Sequence, residues 1–224
     1  VHPFQSYVEG LQKLLYDITR QPQKTYHLFY FDGIDETGHH FGPDSPECEA
    51  MITAFFSSLD KIFSSATPNV FDNVLLLIIA DHGQVPISPE NTIYLNEHIP
   101  NITEWIRTNK SGKLLVPGGS CRDLFLYLKD DRIHTAKKEL ERLLEGRASI
   151  VTTEELFVSG VFGKNPSTNL TKRIGNLCVL PHPGESVWWW EKGKFEQKHL
   201  GHHGGLTPSE IEIPFLAVPL SRLF

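Results

Sequence analysis

The stretch that most constrains the fold is residues 74–83, VLLLIIADHG, where a run of apolar residues ends at Asp81-His82-Gly83. A short continuous run rich in Leu and Ile predicts a strand that is buried on both faces, as in a sheet covered by helices. In open α/β sheets, ligands bind beyond the carboxyl ends of the strands. Asp81 and His82 are therefore predicted to lie at a site of chemistry, and Gly83 allows the backbone to turn beside them.

A similar pattern precedes this stretch. Residues 26–31, YHLFYF, predict a strand, and residues 33–43, GIDETGHHFGP, predict a loop dense in Gly, His and acidic side chains. An amphipathic helix is predicted over residues 8–18, before a polar break around Pro22. A second helix is predicted from Pro46, with Ser45 as its N-cap, to about residue 63. This alternation of helices and strands predicts an α/β fold with a mixed or parallel sheet between helices.

The middle of the chain has a different pattern. Residues 84–119 are rich in Pro and Gly and predict loops around one short helix. A strand–helix–strand–helix pattern follows and predicts a small inserted α+β subdomain over residues 95–170, with the catalytic core formed by residues 1–94 and 171–224. The predicted elements of this part are a helix at 102–107, strands at 124–128 and 149–151, helices at 135–145 and from 153, and later strands at 176–180, 187–190 and 213–218. The three consecutive Trp residues in the strand at 187–190 are predicted to pack in the core and at its rim.

Composition excludes several classes of protein. The formal net charge of −6 and the lack of a basic run argue against nucleic acid as a partner. No apolar segment approaches the roughly 18 residues of a membrane span, and no signal peptide is visible. The three cysteines, Cys48, Cys121 and Cys178, lack a paired spacing and are expected to be ordinary thiols, which favours a reducing compartment such as the cytoplasm. Because the chain begins with a valine and its single Met lies at position 51, we expect a processed chain or a piece of a longer one.

The His, Asp and Gly residues of the chain concentrate in three segments. Five of the eleven histidines fall there, next to glycines that let the backbone bend and aim imidazole rings inward. Carboxylate and imidazole donors suit zinc, manganese or iron. The sequence therefore predicts a metal centre built from the three segments, which contain Asp35, Gly38, His39, His40 and Gly42; Asp81, His82 and Gly83; and His202, His203, Gly204 and Gly205.

The three segments resemble the motifs of the type I phosphodiesterase/nucleotide pyrophosphatase family, which belongs to the alkaline phosphatase superfamily. The D-x-x-G-H-x-x-G-P signature of that family is matched by Asp35, Gly38, His39, Gly42 and Pro43. Residues 80–83, ADHG, resemble its S-D-H-G strand end with Ala in place of Ser, and residues 201–204, GHHG, resemble its later G-x-H-G element. The motifs come in the order of the family, and the resemblance spans about residues 26 to 218.

The resemblance implies two divalent metal ions, with zinc favoured and manganese or iron as alternatives. It assigns Asp35, His39 and His203 to one ion, and Asp81 and His82 to the other. Two ions about 4 Å apart can hold both a nucleophile and a phosphoryl oxygen. The remaining histidines of the segments are predicted either to support the ligands or to lie at the surface; they are His40 and His202. A small phosphorylated compound is the implied substrate, with nucleotides as one member of that class.

One element of the family pattern is not matched. In the family, the nucleophilic Thr or Ser and a further Asp ligand lie on a strand before the D-x-x-G-H motif. Residues 1–34 contain Thr19 at a predicted helix end and Thr25 before a predicted strand, and neither has that setting. We therefore expect this chain to be the C-terminal part of a longer enzyme, to lack the N-terminal part of the fold and the nucleophile, and to be inactive alone.

Several functions stay open at this point. The leading one is a metal-dependent hydrolase of phosphodiester or pyrophosphate bonds. Within the superfamily, a phosphomonoesterase or a phosphonate hydrolase is an alternative, whereas a sulfatase is disfavoured because no C-x-P-x-R segment is present. Two His and one carboxylate also form the facial triad of non-haem iron oxygenases, but the βα alternation and the Asp81-His82 pair argue against that class. A metal-binding pseudoenzyme or binding module without turnover is the non-enzymatic alternative. Residues 84–175 are expected to set substrate specificity.

Overall fold

A computed structural model describes residues 3–20 and 23–224; the break predicted at Pro22 lies outside these residues. The chain divides into two compact units. The first consists of Val1–Asp81 and Ile213–Phe224, and the second consists of His82–Glu212. The chain therefore passes from one unit to the other between Asp81 and His82, in the middle of the Asp-His-Gly segment.

The described residues form short strands and mostly short helices. The helices are α1 (Tyr7–Arg20), α2 (Gly33–Phe41), α3 (Pro46–Phe63), α4 (Leu95–His98), α5 (Ile102–Trp105), α6 (Ile133–Leu143), α7 (Thr153–Ser159), α8 (Thr168–Arg173) and α9 (Pro208–Ile211). The strands are β1 (Leu75–Ile79), β2 (Val85–Pro86), β3 (Ile93–Tyr94), β4 (Leu124–Leu126), β5 (Ala148–Thr152), β6 (Leu177–Pro181), β7 (Val187–Trp188), β8 (Gly201–His202) and β9 (Phe215–Pro219). No described helix has both the length and the apolar character needed to cross a bilayer.

The first unit is built around aromatic side chains. Helices α1 and α3 bury Leu11, Leu59 and Phe63, and Phe63 stacks on Phe71 with ring centroids 5.9 Å apart. Helix α3 begins as predicted, because the Ser45 hydroxyl oxygen accepts a hydrogen bond from the Cys48 N–H and Pro46 occupies the first turn.

The strand predicted over residues 26–31 is wrong in this structure. The segment has the alternating burial of a strand, with Phe29 stacked on Phe4 and Phe31 stacked on Phe55. Among the described residues, however, no strand pairs with it. Alternation of side chains follows from an extended backbone, whereas a strand also requires a hydrogen-bonded neighbour. Three large side chains of the segment point to solvent; they are Tyr26, Leu28 and Tyr30.

Strand β1 confirms the predicted element at residues 74–79, but the predicted burial of both its faces is wrong. It pairs antiparallel with β9, from Leu75 opposite Pro219 to Ile79 opposite Phe215. Leu76 packs against the core of the first unit. Leu77, on the opposite face, is 48% exposed. A continuous apolar run cannot distinguish one covered face from two, because it carries no polar residue to mark an outward face.

The second unit contains a three-stranded antiparallel sheet in the order β4–β6–β5, with α6 packed on it through Ala136 and Leu140. Two further strand pairs complete it: β3 with β7, which is parallel, and β2 with β8, which is antiparallel. The predicted strands and helices of this region are present with bounds shifted by a few residues. Trp188 and Trp189 pack against the core, as predicted. The inserted subdomain predicted over residues 95–170 lies within this unit and stays a prediction.

The three cysteines are buried and none forms a disulfide, as expected for ordinary thiols. Burial raises the pKa of the Cys121 thiol to about 12 and also raises the pKa of the Cys178 thiol. Thiols held in the protonated form are poor nucleophiles and poor metal ligands. Among the described residues, no cysteine belongs to a group of side chains that lies close enough together to hold a metal ion.

Because one face of β1 is packed and the other is exposed, substitutions of neighbouring residues should have unequal effects on stability. We expect Leu76→Thr to lower the free energy of unfolding by about 1–2 kcal/mol, because an apolar side chain in the core is replaced by a smaller polar one. Leu77→Thr, made to the same β-branched residue, should change it by less than about 0.5 kcal/mol. Urea unfolding monitored by circular dichroism measures both. Equal destabilisation by the two variants would show that both faces of β1 are covered.

Candidate functional site

Asp35 and His39 lie on helix α2, in the segment that was predicted to be a loop. The two residues are one turn apart and therefore share a helix face. The distance between His39 Nε2 and Asp35 Oδ2 is 3.4 Å, and the two side chains are 15% and 38% exposed. One carboxylate and one imidazole thus stand side by side within the first unit.

The loop predicted over residues 33–43 is wrong for residues 33–41, which form a helix although two of them are glycines of low helix propensity. The structure shows what compensates for this propensity. A side chain at Gly33 would overlap the ring of Phe31, so a larger residue there would force that ring to move. The first turn carries acidic residues and the last turn carries histidines, an order that complements the helix dipole. The helix ends at Gly42, whose φ of 92° few other residues adopt.

His40, the neighbour of His39, lies at the surface. Its Nδ1 donates a hydrogen bond of 2.9 Å to the carbonyl oxygen of Glu36, one turn earlier in α2. This contact holds the ring along the exposed side of the helix. The role predicted for His40, either to support a ligand or to lie at the surface, stays a prediction.

His82 and His203 come together in the second unit. Their rings stack with centroids 3.5 Å apart and planes inclined by 13°. His202 lies beside this pair, with its ring centroid 5.7 Å from that of His203, and its Nδ1 accepts a hydrogen bond of 3.0 Å from the His203 backbone N–H. The three histidines are half-buried. The Asp-His-Gly segment and the Gly-His-His-Gly segment, which lie far apart in the sequence, therefore form one histidine cluster.

A short strand pair explains why the two segments meet. Strand β2 begins just after Gly83, and β8 leads directly into His203. In the antiparallel ladder between them, Val85 lies opposite His202 and Pro86 lies opposite Gly201. This register brings the two histidine loops to the same end of the ladder. Asp81, which precedes His82 in the chain, is exposed and belongs to the first unit.

Sequence reasoning missed a buried ion pair beneath the histidine loops. Arg122 and Glu210 have side chains that are 0% and 1% exposed, and two hydrogen bonds of 2.9 and 3.0 Å join the guanidinium to the carboxylate. The Glu210 carboxylate also accepts hydrogen bonds from the Gly205 N–H and the Thr207 hydroxyl. Burial raises the pKa of the Glu210 carboxyl, but the hydrogen bonds from Arg122 and Thr207 outweigh it, so the pKa lies below its ordinary value.

One signal in the sequence points to Glu210. Residues 207–210, TPSE, have the T-x-x-E spacing that brings the side chains of an N-cap and the third helical residue together. The Thr207 hydroxyl does donate to the Glu210 carboxylate, at 2.6 Å. Nothing comparable marks Arg122, which lies far away in the sequence, just before the strand predicted at residues 124–128.

A turn at Ser120 touches the backbone of His203 from another side. The Ser120 hydroxyl lies 3.0 Å from the His203 carbonyl oxygen and 2.6 Å from the Asp123 carboxylate. Burial raises the pKa of Asp123, in part against the hydrogen bonds from Ser120. Gly204 has a φ of 117°, and a side chain there would overlap the Ser120 hydroxyl. Glycine is therefore required directly after His203.

The donors of each unit fit a divalent metal ion. The first unit offers the adjacent carboxylate and imidazole of Asp35 and His39, and the second offers the stacked imidazoles of His82 and His203. Half-buried nitrogen and oxygen donors of this kind suit zinc and similar ions. Each unit by itself supplies only part of a coordination shell.

Comparison with known proteins identifies the family of the chain. Residues 4–206 match the family model described as type I phosphodiesterase/nucleotide pyrophosphatase. Human ectonucleotide pyrophosphatase/phosphodiesterase family member 7 is 30% identical over 120 residues, which are 49% of this chain and 26% of that protein. The chain thus spans only part of the length of the relatives that it matches.

Solved structures share the fold. Human and murine ectonucleotide pyrophosphatase/phosphodiesterase 5 superpose with TM-scores of 0.70 and 0.66 at 19% identity, over 96% of this chain and 54% of each of theirs; the murine structure is of an inactive variant in complex with AMP. Phosphonoacetate hydrolase from Sinorhizobium meliloti 1021, in complex with phosphonoformate, superposes with a TM-score of 0.53 at 20% identity, over 82% of this chain and 43% of that one.

These likenesses confirm the predicted α/β fold class, because the chain shares its fold with these structures. They also confirm the resemblance that the three motifs carry. With the family model matching residues 4–206 out of 224, the chain belongs to the type I phosphodiesterase/nucleotide pyrophosphatase family.

Proposed function

We propose that the chain supplies the metal-binding part of a metal-dependent hydrolase of phosphodiester or pyrophosphate bonds. The observation that carries the proposal is the stacking of His82 on His203 at 3.5 Å, because it joins two of the three family motifs at one place in the second unit. Half-buried imidazoles beside Gly-rich turns supply nitrogen donors of the kind that zinc sites use, whereas an ordinary core is filled by apolar side chains.

We assign the metal ligands as the motifs imply. Asp35, His39 and His203 hold one ion, and Asp81 and His82 contribute to the other. Support comes from the adjacent carboxylate and imidazole on α2 and from the histidine cluster of the second unit. Zinc is the favoured metal, and manganese and iron suit the same donors. When bound, such ions activate a nucleophile and offset the charge of a phosphoryl group.

The proposed substrate is a small phosphorylated compound, with nucleotides as the first class to test. The family name and the AMP complex of the murine relative support this choice. Electrostatics supports the need for metal. Because the chain has a formal net charge of −6, it repels an anionic substrate unless cations offset that charge locally.

We further propose that this chain alone does not complete the reaction, because residues 1–34 contain no Thr or Ser that matches the nucleophile motif. Thr19 lies in the last turn of α1 and donates its hydroxyl to the Tyr16 carbonyl oxygen. Thr25 is exposed and contacts His27, two residues further on. Neither residue follows a strand in the described structure.

The amount of bound metal tests the assignment of the ligands. Protein purified without chelator should contain about one zinc-like ion per chain, and His203→Ala should lose most of it, because a ligand is removed from an already partial coordination shell. His134→Ala is the matched control, since His134 is exposed on α6. Elemental analysis by mass spectrometry measures the metal content of the three proteins.

The outcomes separate the two parts of this proposal. Wild-type protein that takes up no zinc would contradict metal binding by this chain. Metal that is unchanged in His203→Ala would contradict the assignment of His203 alone. Equal loss of metal in His203→Ala and His134→Ala would point to non-specific binding by histidine side chains.

Hydrolysis of a chromogenic diester tests whether this chain alone completes the reaction. We expect this chain to release no p-nitrophenolate from bis-p-nitrophenyl phosphate above a buffer control, because it lacks a matched nucleophile. A version extended upstream by a strand that carries the Thr or Ser of the family should hydrolyse the diester, and EDTA should abolish that activity. Turnover by the unextended chain that EDTA also abolishes would show that the nucleophile lies within residues 1–224.

The same assay discriminates the alternatives. Faster hydrolysis of p-nitrophenyl phosphate than of the diester would favour a phosphomonoesterase, and hydrolysis of a phosphonate would favour a phosphonate hydrolase. An extended version that binds metal and turns over none of these substrates would favour a metal-binding module.

A further inference from the structure

We propose that Glu210 is a positioning residue for the stacked pair of His82 and His203 and thereby sets the metal affinity of the chain. The proposal rests on the metal-binding function proposed above and adds a residue that no motif of the family resemblance includes. It is carried by one arrangement: Glu210 bonds to both histidine loops at once, through its backbone to one and through its side chain to the other.

The backbone of Glu210 holds the His82 loop. Its carbonyl oxygen accepts a hydrogen bond of 2.9 Å from the Gly83 N–H, next to His82 in the chain. A side chain at Gly83 would overlap the carbonyl oxygen of Ser209, so the loop lies directly against the backbone of α9. The side chain of His82 therefore extends from a backbone segment that α9 fixes in place.

The side chain of Glu210 holds the His203 loop. One carboxylate oxygen accepts a hydrogen bond of 3.0 Å from the Gly205 N–H, two residues after His203. The other accepts a hydrogen bond of 2.6 Å from the Thr207 hydroxyl. A side chain at Gly205 would overlap this carboxylate, so the loop has no room to shift towards it.

Arg122 fixes the carboxylate that makes these contacts. The two side chains are joined by a bidentate pair of hydrogen bonds, a geometry that restricts both rotation and translation. The remaining guanidinium nitrogen donates to the carbonyl oxygens of His182 and Glu185, in the connection between β6 and β7. Glu210 is thus tied to a part of the second unit that contains neither histidine loop.

If its only role were packing, a buried ion pair such as Arg122 and Glu210 would be an unfavourable choice. Taking a carboxylate and a guanidinium out of water is unfavourable, and well-packed apolar side chains are often at least as stabilising as such a pair. A buried pair that instead orients two loops has a reason to be charged, because charge-assisted hydrogen bonds are shorter and more directional than neutral ones. Residues that orient metal ligands typically change metal affinity by about 10–100-fold when they are altered.

The test uses Glu210→Gln, which keeps the size of the side chain and removes its charge. We expect the zinc affinity of the full chain, measured by competition with a chromophoric chelator, to fall at least about tenfold. We also expect the ring-proton resonances of His82 and His203 to move towards ordinary positions in NMR spectra without metal, because each ring shields the other only while they stay stacked. Single His82→Gln and His203→Gln variants assign these resonances.

Two further variants separate positioning from stability. Leu140→Ala empties part of the core of the second unit, where α6 packs on the β4–β6–β5 sheet, so it should lower the thermal midpoint and leave zinc affinity and the ring resonances unchanged. Thr207→Val removes one hydrogen bond to Glu210 and leaves the ion pair in place. If Glu210→Gln does not fold, Thr207→Val should still weaken zinc binding and shift the ring resonances in the same direction.

Failure of the positioning role can be distinguished from failure of the proposed metal-binding function. Unchanged zinc affinity and unchanged ring resonances in folded Glu210→Gln would overturn the positioning role and leave metal binding by the chain intact. Leu140→Ala that weakens zinc binding as much as Glu210→Gln would also overturn it, because general destabilisation would then explain both. Wild-type protein without zinc affinity would overturn the proposed function and, with it, any role of Glu210 in metal binding.

Discussion

The histidine cluster of the second unit depends on the buried pair of Arg122 and Glu210. Removing one partner of such a pair typically costs about 3–5 kcal/mol, because the other charge is left buried without compensation. The pair also connects three segments that are far apart in sequence: the turn at Ser120, the connection between β6 and β7, and the loop before α9. Its effect is therefore to fix loops, which have no ladder of hydrogen bonds of their own.

The histidine loops also require glycine at three positions. Gly83, Gly204 and Gly205 each lie where a side chain would overlap α9, Ser120 or Glu210. A metal centre on loops requires ligand side chains that point inward from tightly turned backbone, and only glycine fits so close to neighbouring atoms. The glycines that mark the family motifs thus have a packing explanation in this chain.

The exposed apolar face of the first unit contrasts with the well-covered core of the second. Leu75, Leu77 and Ile79 on β1 and Phe215 on β9 are all more than 45% exposed. Contiguous exposed apolar side chains of this size usually mark a surface that contacts something other than water. The chain spans 54% of the solved human relative whose fold it shares.

Local sequence determined the helices α1 and α3, the strand β1, and the three motifs by which the family was recognised. Helical spacing, the Ser45-Pro46 start and an apolar run ending at Asp81 are all readable without a partner. Local sequence was misleading at residues 33–43, where a helix forms over Gly33–Phe41 although it includes two glycines, and at residues 26–31, where a strand would need a neighbour.

Only the tertiary structure decided which residues hold the site together. The stacking of His82 on His203 depends on the register of β2 and β8, and the pairing of Arg122 with Glu210 depends on two segments that share no local pattern. The chemical identity of the candidate ligands is local information, because a motif records residue types and spacing. The mutual geometry of these ligands is not local information, because it is set by hydrogen bonds and charges between segments that meet only after the chain has folded.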